Sequence, residues 1–203
     1  MINAVDVDKL TGWIDYDRSS LPQLMRAQRV DYFEKRVRLV VLNPLGRILH
    51  NEIFVAGGKT SALLIYAVSL CCAIEAAGRF LTNANESNKR FHEFLNTYMS
   101  PDFQTGKIGM LTYGEALWKH FRNGLAHGFA VKHGGFEGNP NEPYFSERDF
   151  NGYLVLEINP TRLLEDFSNG IELYIKDVRS ARPSDRVYKT FHAVFERVFI
   201  LGD

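Results

Sequence analysis

Arg122, Asn123 and His127 set a permanent cation, an amide and a titratable imidazole within six residues, in the stretch FRNGLAHG from Phe121 to Gly128. An imidazole with an ordinary pKa of about 6.5 can take and return a proton near neutral pH, and a guanidinium offers a fixed fork of donors to phosphate oxygens. Together they suit acid-base chemistry on a phosphodiester. Asn123 and His127 are four apart, so on an α-helix they lie one turn above the other on the same face. Arg122 starts further round the cylinder, and its long side chain must swing in from the flank. Gly124 and Ala126 keep the surroundings narrow enough for a substrate or a second backbone to approach, and Gly128 is placed to end the helix in a left-handed cap.

The elements that must position these residues follow from capping signals and apolar spacing. Thr112, with Glu115 three residues on, forms a capping box, so a fourth helix is expected to start near Tyr113. Leu117, Trp118, Phe121 and Leu125 supply its core stripe and leave Asn123 and His127 toward the other side. A first helix is expected from Pro22 to Pro44, with Arg26, Arg29, Lys35, Arg36 and Arg38 set against Asp31 and Glu34 on a solvated or phosphate-facing side. Residues 46–59 read as a connector. A second helix runs from Thr60 or Ser61 to about Leu81; on it Glu75 either pairs with Arg79 along the surface or faces the bundle, where Arg122 is an available cation. Phe91, Phe94, Leu95 and Tyr98 mark a third helix that ends near Ser100 and Pro101.

Beyond Gly128, Phe129 to Val131 and Tyr153 to Ile158 read as short strands separated by a long exposed loop, Lys132 to Gly152. Asn159 and Pro160 open a fifth helix, with Gly170 weakening its middle, and Arg182-Pro183-Ser184 breaks it before a sixth. No internal repeat or clean linker divides the chain. The expectation is a single mainly α domain over 1–203, a bundle of about six helices with a small β ribbon after the fourth.

Composition narrows the function classes. Zero formal net charge among 203 residues argues against a generic nucleic-acid coat, while leaving room for an enzyme that engages a few phosphates locally. Cys71 and Cys72 are neighbours that point about 100° apart on a helix, so buried thiols in a reducing cytoplasm are expected rather than a disulfide. Aspartates near the start argue against a secretion signal, and Glu75 and Arg79 within the most apolar segment argue against a membrane span. Metal binding is not expected, because His120 and His127 lie seven residues, or about 10 Å of helical rise, apart without a neighbouring carboxylate or cysteine.

An arginine, a polar residue, three further residues and a histidine late in a helical bundle resemble the HEPN superfamily, and RNGLAHG is a common form of its signature. The resemblance spans roughly Leu21 to Leu201 and is sharp over Arg122 to His127. It implies a metal-independent endoribonuclease without a cofactor, working as a homodimer in a toxin and antitoxin or antiviral system, or a non-catalytic RNA- or nucleotide-binding relative. Carried over by position, His127 is the acid or base, Arg122 the phosphate-binding cation and Asn123 the orienting polar residue, with Glu75 a supporting partner of Arg122. One histidine per chain lacks a second proton-transfer group, which a dimer would supply. Two other readings stay open. Arg122 could pair with Glu75 as a brace between helices while His127 caps the helix end, or the loop from Lys132 to Gly152 could dock a partner such as an antitoxin or a nucleotidyltransferase.

Overall fold

Apolar stripes at helical spacing outnumber strand signals in the sequence, and the chain is accordingly mainly α with small β elements. A computed structural model describes residues 21–22, 24–55, 60–124, 134–136 and 141–202. Helix α1 (Arg26–Val37) passes into a π-helical turn (Arg38–Leu42), α2 (Asn43–Arg47) and a second π-helical stretch (Ile48–Val55). Contrary to the sequence expectation, the first helix starts at Arg26 rather than at Pro22, and Pro44 does not end it. A proline ring normally collides with the carbonyl four residues back, here that of Val40, but the helix is widened over this turn and the Asn43 amide reaches five residues back to Arg38. Much of the presumed connector is thereby helical.

Helix α3 (Thr60–Thr82) is the spine of the bundle, with Tyr66, Leu70, Cys71 and Ile74 fully buried. Over Ala62–Thr82 it is long and apolar enough to cross a membrane, yet its apolar side is covered by protein. Cys72, expected inside, is exposed, because the neighbouring side chain points away from the face that Cys71 presents to the core. Helix α4 (Ser87–Tyr98) lies against α3 at Gly78, where a β-carbon would run into the Arg90 carbonyl. Backbone contact at that point sets the height at which Arg90 meets α3.

A hairpin of β1 (Lys107–Ile108) and β2 (Leu111–Thr112) precedes α6 (Tyr113–Ala116), with the short helix α5 (Asp102–Thr105) before it. Part of the anticipated loop from Lys132 to Gly152 is sheet instead: β3 (Gly134–Phe136) pairs parallel and β4 (Phe145–Phe150) antiparallel with the expected strand β5 (Tyr153–Ile158). The signal was hidden because β4, FSERDF, places four consecutive polar residues between its two phenylalanines, without the apolar alternation of a strand, and is flanked by turn formers. The strand anticipated at Phe129 to Val131 lies outside the described residues.

Asn159 opens α7 (Pro160–Ser180) by accepting hydrogen bonds from the amides of Thr161 and Arg162. Gly170 there is a packing requirement more than a weak point, since a β-carbon would lie 2.9 Å from the Tyr98 carbonyl oxygen. Helix α8 (Arg186–Phe195) and a final π-helical stretch (Glu196–Leu201) close the bundle over α1 and α3. The basic side of α1 is largely absorbed by this packing. Arg38 pairs with Glu34 and Glu172, Arg179 reaches Asp31 and Glu34, and Arg26, Arg29 and Arg36 stack over Tyr188, Phe195 and Phe199.

His192, at this α1–α8 seam, has neither ring nitrogen hydrogen-bonded among the described residues. Burial, with the charges of Arg29 and Arg26, pushes its pKa down to about 4. The unfolded chain, with histidine near 6.5, binds the extra proton first as pH falls, so this contribution to stability is present above about pH 6.5 and is lost toward pH 4. After discounting for solvent screening at a half-exposed site, the loss should be on the order of 1 kcal/mol. Denaturant titrations at pH 7 and 4.5 check this: His192→Phe should lose less stability than the wild type between the two, and equal losses would assign the acid sensitivity elsewhere.

Candidate active site

The capping box that starts the site helix is formed as the sequence predicts. The Glu115 amide donates to the Thr112 hydroxyl at 3.2 Å, and the Thr112 amide donates back to Glu115 Oε2 at 2.7 Å. After one turn, the helix widens into a π-helical segment, Leu117–Arg122, in which the Asn123 amide bonds to the Trp118 carbonyl. Such segments recur at functional sites because the extra residue per turn re-aims side chains. Here Leu117 and Phe121 stay in the core, whereas Trp118, expected beside them, turns partly out and carries the Arg122 guanidinium 5.0 Å from its ring centroid.

Glu75 faces inward and takes Arg122 rather than Arg79. Both Nε and Nη2 of Arg122 donate to Glu75 Oε2, at 3.2 and 2.8 Å, while Nη2 of Arg90 donates to Oε1 at 2.8 Å. All three side chains are at least four-fifths buried, with exposures of 13% for Glu75, 20% for Arg122 and 17% for Arg90. Burial works to raise the Glu75 pKa, but Ser87, Arg122 and Arg90 outweigh it and hold the carboxyl below its ordinary range. Arg90 had no sequence signal, because its partner sits fifteen residues away on another helix.

Arg122 also donates from Nη1 to Asn123 Oδ1 at 3.4 Å. A guanidinium has five N–H donors; three are engaged by Glu75 and Asn123, and among the described residues one each on Nη1 and Nη2 has no partner. Two guanidinium donors are what grips a phosphate in bidentate fashion. Arg122, Asn123 and Glu75 are thus brought together, whereas His127, the proposed acid or base, lies outside the described residues.

Asn123 also lines an open cleft of about 640 Å³ between α4 and the site helix. Its walls include His92, which in sequence reads as an ordinary histidine, together with Trp118 and Lys119. A signal for this wall existed in the four-residue spacing of Asn88, His92 and Asn96. Among the described residues, no group of three or more histidines, cysteines or carboxylates is placed to hold a metal ion. In comparisons with known proteins, the chain matches no family model, no curated protein and no solved structure.

Proposed function

We propose that the protein is a metal-independent endoribonuclease of HEPN type, and the observation that carries this is the pre-set Arg122 guanidinium. It is held against Glu75, stacked on Trp118 and tied to Asn123, which lines the open cleft, and two of its donors have no partner among the described residues. A cation fixed in this way stabilises charge developing on a phosphorane without reorganising. The 2′-hydroxyl of the substrate loses its proton to a base, its oxygen forms a bond to phosphorus, and the bond to the 5′-oxygen breaks as that oxygen gains a proton. His127 is assigned the proton transfers, Arg122 the phosphorane charge and Asn123 the orientation of the cation.

One imidazole cannot accept the first proton and donate the second at the same moment, so a symmetric homodimer with two facing copies of the motif divides the work. A toxin held in check by an antitoxin is the setting this activity suits. The alternative is a non-catalytic RNA- or nucleotide-binding or protein-interaction module, favoured by the double engagement of Arg122 with Glu75, which also serves as a helix brace.

Mixed RNA incubated with the protein in EDTA tests the choice. Wild type should cleave it to ends bearing 2′,3′-cyclic phosphate, and His127→Ala should lose at least about 100-fold in rate. Intact RNA with both proteins overturns the catalytic assignment in favour of the binding module.

A further inference from the structure

The cleft beside Arg122 is built from two facing rows of polar side chains. Asn88, His92 and Asn96 are four apart on α4 and form a line about 12 Å long. Glu115, Lys119 and Asn123 repeat the spacing on the opposite wall, and Trp118 lies between the rows. Their hydrogen-bonding groups are largely uncommitted among the described residues. The side chains of Asn88, His92, Asn96 and Lys119 make no hydrogen bond or ion pair there, and the Asn123 amide nitrogen is free while its oxygen faces Arg122. Burial lowers the His92 pKa against the pull of Glu115, so the ring is neutral at pH 7 and offers one donor and one acceptor.

We propose that this cleft is a nucleobase-recognition subsite for single-stranded RNA, which rests on the ribonuclease reading for its polymer and deepens it by placing sequence preference here. Charge and geometry select a base over a second phosphate. Lys119 and Glu115 cancel, so the cleft lacks the net positive charge that a phosphate needs, whereas Arg122 next door supplies it. Asn88 and Asn96 each present a donor and an acceptor side by side, the pattern that pairs with the edge of an unstacked base, and Asn123 adds a donor. At 640 Å³ the cleft has the volume of a small-molecule site, and Trp118 and His92 contribute ring surface along it.

The test is binding of fluorescein-labelled 2′-O-methyl RNA hexamers, A6, C6, G6 and U6, read by anisotropy; these lack the attacking hydroxyl, so binding is measured apart from cleavage. Wild type should distinguish the four. Asn88→Ala with Asn96→Ala, both at exposed positions, should weaken the preferred hexamer about tenfold and flatten the differences, with an unchanged melting temperature. Arg122→Lys should weaken all four alike and keep their order. Four hexamers bound equally by wild type, or an order untouched by the double variant, overturns the subsite. Base-selective binding without RNA cleavage would retain the subsite and reject the ribonuclease, and cleavage with an unaffected order would do the reverse.

Discussion

Gly78→Ala should destabilise the protein by about 3 kcal/mol, lowering the melting temperature by roughly 6–12 °C, or prevent folding altogether. In an exposed helix the same change would stabilise by about 1 kcal/mol through helix propensity, so the sign alone is diagnostic. At Gly78 the added methyl meets the Arg90 backbone carbonyl, which cannot swing away as a side chain end would. Relief requires α4 to move off α3, and that movement pulls Arg90 away from Glu75. Thermal melts followed by circular dichroism decide it; a variant as stable as wild type would mean that the two helices are not in backbone contact.

Glu75→Gln should cost about 3 kcal/mol at pH 7, because two largely buried guanidinium groups lose their shared counter-charge while the side chain keeps its shape. The pH dependence has a definite sign. The folded pKa of Glu75 lies below its unfolded value, so its contribution is fully present above about pH 4.3 and fades as pH falls through the folded value. Denaturant titrations of wild type and variant should therefore differ at pH 7 and draw together as pH falls through the lowered pKa of Glu75. A gap that does not narrow on acidification would mean that loss of the Glu75 charge is not what destabilises the variant. If Arg122 also binds phosphate, the variant should weaken RNA hexamers at temperatures where it remains folded.

Sequence by itself determined most of the helices that surround Arg122. Thr112 and Glu115, and Asn159 with Pro160, are local signals whose partners lie within three residues, so their caps form as read. Apolar spacing likewise marked α3, α4 and α7, because helical periodicity is a property of consecutive residues. It also brought Glu75 and Arg122 forward as a possible pair, through the need of an inward carboxylate for a cation. Tertiary structure decided what depends on distant partners. It chose Arg122 and Arg90 over Arg79 for Glu75, since Gly78 lets α4 approach closely enough to deliver Arg90. It carried the first helix past Pro44 and turned Trp118 toward the cleft, because π-helical widening shifts side-chain phase in a way a 3.6-residue period cannot anticipate. The polar cleft itself exists because two helices far apart in sequence face each other, and neither row of side chains announces an opposing wall on its own.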